Sequence, residues 1–345
     1  MKILFLWLLL VVAGNSACST WRAQAVASNN ISLNVINVLN RYRVQTDINK
    51  ESIGLKNKAP LKENIVGYDV LAQKIETFIK SQQKLRLFLV SFPFKSSNKE
   101  KKVLGPGVDL AERKSLLYIY GMIKELKAVY PYGVELAIFC DGAPFADYRG
   151  ISDSDVKAYE EGLVLLTKDM PEITIIGSCE IAKKIGALNS QEIRTRIDTY
   201  MPSNKDAMKL IETDQKTKES YLTLLERFKL EFDSENGRSF LAQNKGLENI
   251  IQLLIARELR MRNFIEANFN PASYIRLSVN YSTDVGKKFG IRLSPNSVIM
   301  PYHGVLVEDK SGSWSLRFKK DINPVQYEEV SQIINGKACN YMRER

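Results

Sequence analysis

Histidine is almost absent from this sequence: among 345 residues His303 is the only one. Cysteine is scarce too, and Cys18, Cys140, Cys179 and Cys339 show no CxxC spacing. With one imidazole and no paired thiols, a Cys/His zinc site is argued against. Cys140 sits inside an apolar run and reads as a small buried hydrophobe. If Cys18 is lost or lipidated, three thiols remain, so the cysteines do not define the fold. Past the N-terminus no apolar run approaches the length of a membrane-spanning helix. The basic residues are scattered among Glu and Asp and form no aromatic-interleaved face or recognisable module, which argues against a nucleic-acid partner.

What is present points to a folded globule. Hydrophobic residues make up 45% of the chain, with three Trp, 15 Tyr and 14 Phe, a content that excludes disorder as the general state. Basic residues outnumber acidic ones by 49 to 39, for a net charge of +10, which suits anionic ligands. Met1-Lys2 precedes an apolar run from Ile3 to Ala13, and Ala23-Gln24-Ala25 supplies a small-x-small cleavage pattern. Residues 1–25 therefore read as a signal peptide that exports the protein to the periplasm or, through Ser16-Ala17-Cys18, as a lipoprotein; a lipid on Cys18 would be its one link to a membrane. Residues 26–62 read as a linker or N-terminal cover, with one short helix around Asn34 to Tyr42, and residues 63–345 as a single domain.

In that domain, helical spacing of Val70, Leu71, Ile75, Phe78 and Ile79 predicts a helix over 67–82 that feeds an apolar strand, Leu85 to Phe92. A polar, lysine-rich loop from Pro93 to Gly107 follows, then a helix from Asp109 to Tyr130. The next strand, Val134 to Cys140, ends on Asp141-Gly142. Ser152 caps another helix, and Ile173 to Gly177 forms a third strand. This alternation predicts an α/β fold, a Rossmann-like and mostly parallel sheet flanked by helices. Residues 203–270 read as a helical middle segment, in which Arg257, Arg260 and Arg262 make a solvated basic face. Short strands over 273–281, 289–294, 298–308 and 314–318 read as antiparallel hairpins that complete or extend the sheet.

In an open α/β sheet ligands bind beyond the carboxyl ends of the strands, so the loops after Phe92 and Cys140 share one crevice. Lys95 could there bind a phosphate or condense with a carbonyl, and equally could be a solvated loop lysine. Asp141 and Asp147 bracket a tight loop and could anchor an amine or move protons, although Asp-Gly at a strand end is also ordinary turn chemistry. Gly304 would allow close approach of another group to the His303 ring, and that ring is the one side chain expected to titrate near neutrality.

Several ordered blocks resemble one family: Ser91-Phe92-Pro93-Phe94-Lys95-Ser96, Lys102-Val103-Leu104-Gly105-Pro106, and Asp141-Gly142 with Phe145 and Asp147. To these add Ile275-Arg276-Leu277-Ser278, Lys288-Phe289-Gly290-Ile291 and Pro301-Tyr302-His303-Gly304-Val305. Together they are similar to the isocyanide (isonitrile) synthases of pyoverdine/dityrosine biosynthesis, from about Leu85 to the last residue. The resemblance implies an enzyme without metal or cofactor whose partners are small molecules, an aromatic amino acid and a sugar phosphate. It would build an isonitrile on the amino group of tyrosine or tryptophan, with ribulose 5-phosphate as carbon donor. The roles implied are Lys95, Asp141, Asp147 and His303 in catalysis, and Lys102, Arg276, Lys288, Phe94 and Tyr302 in substrate or phosphate binding. Two departures stand out: Asn280 where the family commonly has His, and Tyr302 where it commonly has Trp. Asn280 cannot carry protons. Because ribulose 5-phosphate is cytoplasmic, this reading implies a cytoplasmic protein, against the exported one that the leader implies. The rival expectation is an exported, non-catalytic binding protein or lipoprotein on the same scaffold.

Overall fold

The computed structural model describes residues 30–44, 65–270, 273–295 and 297–345. The leader, Cys18 and most of the proposed linker lie outside them. Residues 30–41 form a helix, α1, whose Val35, Val38 and Leu39 are buried in the main core. This segment covers the domain.

Five strands make the central sheet: β1 (Leu85–Val90), β2 (Val134–Phe139), β3 (Ile173–Ile176), β4 (Ile275–Ser278) and β5 (Phe289–Gly290). Every pairing is parallel, in the order β3-β2-β1-β4-β5. Buried on both faces, β1 and β2 have near-continuous apolar sequences, the pattern expected of central parallel strands. The expected helices are present as α2 (Tyr68–Lys80), α3 (Leu110–Val129) and α5 (Asp153–Leu166), with a one-turn helix α4 (Gly142–Phe145) after β2. Asp109 caps α3 through its side chain and Glu112 returns a bond to the Asp109 backbone, a capping box worth about 1 kcal/mol.

Between β3 and β4 the chain is helical throughout: α6 (Ser178–Ile185), α7 (Ser190–Asp198), α8 (Asn204–Thr213), α9 (Gln215–Glu231), α10 (Glu235–Gln243) and α11 (Leu247–Phe269). The 23-residue α11 ties this segment to the sheet: Ile250, Ile251 and Leu254 pack with Phe228 and Phe232, whereas Met261, Phe264 and Ile265 pack with Phe88 and Phe139. Among the described residues no helix is long and apolar enough to cross a membrane.

The C-terminal strands match the expected antiparallel hairpins only in part. β4 and β5 complete the first sheet in parallel, while β6 (Val305–Glu308), β7 (Trp314–Arg317), β8 (Tyr327–Ile334) and β9 (Lys337–Glu344) form a second, mixed sheet of order β7-β6-β9-β8. Its antiparallel pairs are β6 with β7 and β8 with β9. The long β8–β9 hairpin had a clear signal, Asn335-Gly336, whose two positive φ angles of 49° and 82° are those of the two-residue turn that matches strand twist. Leu306, Leu316, Cys339 and Tyr341 join Leu85, Leu87 and Leu89 in one core, so the two sheets are continuous inside.

Candidate active site

The chain leaves β1 towards β2 and β3 on one side, then returns to β4 and β5 on the other. The carboxyl ends of β1 and β4 therefore flank a topological switch point, where a crevice opens. A cavity of about 260 Å³ lies there, walled by Val90 of β1 with Ser91 and Pro93 after it, Asp141 after β2, and Arg276 to Ser278 of β4 with Val279 and Asn280 after it. Helices supply Arg227, Glu258 and Arg262, and the 3-10 turn Pro301–His303 supplies Tyr302 and His303.

Two backbone features shape this mouth. Phe92, buried at the exit of β1, has φ 56°. A left-handed conformation for a bulky residue costs on the order of 1–3 kcal/mol. It turns the chain so that Pro93 lines the cavity, whereas Phe94 and Lys95 line a separate pocket of about 250 Å³. At Gly142 a Cβ would fall 2.1 Å from the Pro93 carbonyl oxygen, so the loops after β1 and β2 can meet only because that position is glycine.

Of the residues singled out in the sequence, Asp141, Arg276, Lys288, Tyr302 and His303 converge on the cavity. The Asp141 Oδ1 atom is buried with no hydrogen-bond partner among the described residues, and burial pushes the carboxyl up to about 6. Burial holds Arg276 and Lys288 below their usual range, and for Lys288 the nearby Arg276 adds to the effect. Both also line an outer chamber of about 830 Å³, where they join Arg262, Lys74, Lys216 and Lys287 against Glu219, Glu266 and Asp284, a surplus of three positive charges. Cations crowded in this way favour an anion between them. Tyr302 meets Phe92 edge-on, ring centres 5.9 Å apart, and burial lifts its phenol to about 12.

Lys95, Asp147, Lys102 and Phe94 do not line this cavity. The Lys95 ammonium is fully enclosed, 2.8 Å from Asp109 Oδ2, 2.8 Å from both Glu112 oxygens and 3.0 Å from the Pro301 carbonyl. Burial works against its charge, but Asp109 and Glu112 outweigh burial and hold the lysine above its ordinary range. Two carboxylates share one ammonium, so burial beside Asp109 lifts Glu112 to about 8 despite Lys95. Asp147 accepts 2.7 Å bonds at both oxygens from Arg257 Nη1, which also donates to Pro144 O. This clamps the Asp141–Asp147 loop to α11. Arg257 and Arg260 are buried and share Asp198, contrary to the solvated face expected of them; Arg262 alone is exposed. The space beside Gly304 is likewise taken by Ile299 and the Arg317 backbone rather than by a group approaching the imidazole.

A charged cluster runs from the cavity wall, where Arg149 and His303 sit, to Lys102 and Glu231 behind it; of these only Lys102 and His303 were singled out in the sequence. Glu231, at the end of α9, accepts from Lys102 Nζ, Ser96 Oγ (2.8 Å) and the Ser97 amide (3.2 Å), and lies 3.2 Å from Arg149 Nη2. Burial opposes its charge, but Lys102 and Arg149 outweigh it and keep the carboxylate well below the usual range. Lys102 Nζ also sits 3.2 Å from His303 Nδ1. Burial, then the nearby Lys102 and Arg227, push His303 well below its ordinary value, so the ring is neutral at neutral pH. Arg149 lies over the rings of Phe228 (4.3 Å) and Phe94 (5.4 Å), which gives Phe94 a packing role at the cavity's edge. Of the rest, only Arg149 carried a sequence signal, two residues beyond Asp147; Arg227 and Glu231 lie in a helix otherwise patterned for solvent. Among the described residues no group of His, Cys, Asp or Glu could hold a metal ion.

Fold and cavity define an α/β protein with a cation-rich pocket at the switch point of a parallel sheet. The chain belongs to the pyoverdine/dityrosine biosynthesis protein family, whose model matches residues 75–330. It is 25% identical, over 92% of its length and 95% of the relative's, to an L-tyrosine isonitrile synthase of Pseudomonas aeruginosa. An isocyanide synthase of Aspergillus fumigatus is 25% identical over 96% of this chain, which spans 43% of that longer protein. The crystal structure of PvcA from Pseudomonas aeruginosa superposes with a TM-score of 0.75 at 20% identity, covering 91% of this chain and all of PvcA, and shares the fold.

Proposed function

We propose that the protein is an isonitrile synthase acting on the amino group of tyrosine or tryptophan, with ribulose 5-phosphate as the carbon donor. The observation that carries this reading is the convergence of Asp141, Arg276, Lys288 and His303 on one cavity. An α-ammonium must lose a proton before it attacks a ketone, and a carboxylate with a raised pKa is suited to receive it. Asp141 takes that role, with its otherwise unpartnered oxygen facing the amine. Arg276 and Lys288 hold the phosphate and His303 hydrogen-bonds the sugar oxygens. Condensation at the ketone carbon expels water. One carbon–carbon bond then breaks to release formaldehyde, with its electron pair left on the ketone carbon. The other breaks with its pair leaving on the three-carbon phosphate, which takes up a proton, so that the single carbon stays on nitrogen.

The test is to incubate purified protein with tyrosine or tryptophan and ribulose 5-phosphate carrying carbon-13 at the ketone. A labelled isonitrile in the mass spectrum is the expected result; product without the label removes the donor. Asn280 lines the cavity and cannot relay protons, which favours the second reading, a binding protein without turnover. Tight binding of both substrates with no isonitrile would establish it.

A further inference from the structure

His303 has two ring nitrogens, and Nδ1 has a buried neighbour. The residue lines the cavity, but Nδ1 lies 3.2 Å from the buried Lys102 Nζ, and Lys102 is not part of the cavity wall. An ammonium has only hydrogens to offer, so Nδ1 must accept, and the ring proton of a neutral imidazole must then sit on Nε2. The ammonium is itself held: Glu231 takes a second Lys102 hydrogen, and the Phe318 ring lies 5.8 Å from Nζ. Ser96 Oγ, the Ser97 amide and Arg149 fix Glu231 in turn. Three elements thus converge: the loop after β1 gives Lys102, the end of α9 gives Glu231 and Arg227, and the 3-10 turn gives Tyr302 and His303.

We infer that Lys102 and Glu231 lock His303 as the Nε2–H tautomer, a neutral donor aimed at a ligand oxygen, with Lys102 as the proton reservoir behind it. The role as proton donor rests on the synthase reading above; the tautomer and its coupling to Lys102 do not. When negative charge develops on a sugar oxygen, Nε2 gives up its proton to that oxygen and Nδ1 takes one from Lys102. The imidazole ends neutral with its proton on Nδ1, Lys102 ends as a free amine, and Glu231 stays ionised throughout. Lys102 never touches substrate and is a positioning residue that stores the proton. Burial brings its amine down to about 8, partly countered by Glu231, so it can yield a proton near neutrality.

Because His303 is the only histidine in the chain, nitrogen-15 histidine labelling of the full-length protein without an affinity tag reports on this ring alone. The expected spectrum shows a neutral Nε2–H ring around neutral pH, then a change with a midpoint near 8 as Lys102 titrates. An imidazolium forming near the ordinary histidine value, or a proton resident on Nδ1, overturns the lock. Lys102→Arg keeps a charged donor that does not release its proton. It should preserve the tautomer, abolish the change near 8, and lower kcat of isonitrile formation by about 100-fold or more. Full kcat in that variant overturns the reservoir and leaves only the lock. Should Lys102→Arg misfold, Glu231→Gln serves instead, expected to move the midpoint to lower pH; an unmoved midpoint counts against the coupling. If the wild-type protein forms no isonitrile, the proposed function fails, while the tautomer is still decided by the spectrum.

Discussion

Lys95 and Glu112 form a buried pair in which the ammonium contacts both carboxylate oxygens at 2.8 Å, with side chains fully enclosed. Through Pro301 O the same ammonium holds the turn that carries His303. Lys95→Met leaves Asp109 and Glu112 buried without the cation they share and should destabilise the protein by about 3–5 kcal/mol. Urea unfolding measures it; a loss of turnover with unchanged stability would instead make Lys95 a chemical participant.

The same pair makes a pH prediction. Glu112 titrates near 8 in the folded protein and at 4.5 ordinarily, so the native state holds a proton that the unfolded chain releases between those values. Its contribution to stability therefore falls as pH rises across that window. Glu112→Gln cannot release a proton. Relative to wild type, the variant should gain stability between about pH 5 and about pH 8. Unfolding curves at several pH values check the sign.

Asp141 is ionised only above about 6, so kcat/KM for isonitrile formation should rise through that pH. Asp141→Asn should remove this limb and lower kcat by about 100-fold or more. A raised carboxyl pKa means that above about 6 the folded state carries a disfavoured charge, so Asp141→Asn should be as stable as wild type, or more so, at neutral pH.

Arg276 and Lys288 reach the cavity and the outer chamber alike. Removing either cation from a phosphate should cost about 1.5–3 kcal/mol, or roughly 10- to 100-fold in KM for the proposed sugar-phosphate donor. The KM for the amino acid should change little. Equal effects on both substrates would argue against a phosphate site there.

Asp147 bonds Arg257 outside the cavity. Asp147→Asn should keep the pH profile and lose about 1 kcal/mol of stability. Arg257→Met removes the partner of Asp147 and of the buried Pro144 carbonyl together, and should lose about 1–3 kcal/mol. A shifted pH profile in Asp147→Asn would return that residue to the proton chemistry.

The βαβ half of the fold was legible because β1, α3 and β2 advertise themselves locally: continuous apolar strands, a capping box and a helical stripe. The strands after residue 273 misled because β4 and β5 are short, and nothing local says that β4 pairs beside β1, nearly 200 positions earlier. That Asp141, Arg276, Lys288, Tyr302 and His303 share a cavity could be anticipated because strand ends and matched blocks marked them. Arg227 and Glu231 escaped because a charge paired inside the fold leaves no pattern in either partner's neighbourhood, and Arg149 was marked only by its place two residues beyond Asp147.

Composition and local patterning alone determined a globular, mostly parallel α/β chain with surplus positive charge and a single imidazole. Only the tertiary structure decided that Lys95 is a sealed structural cation, that Asp147 ties a loop to α11, and that Lys102 and Glu231 stand behind His303. The physical reason is that a charged residue's role depends on which opposite charge the fold brings within hydrogen-bond reach and on how much water is left there. Sequence neighbours fix neither.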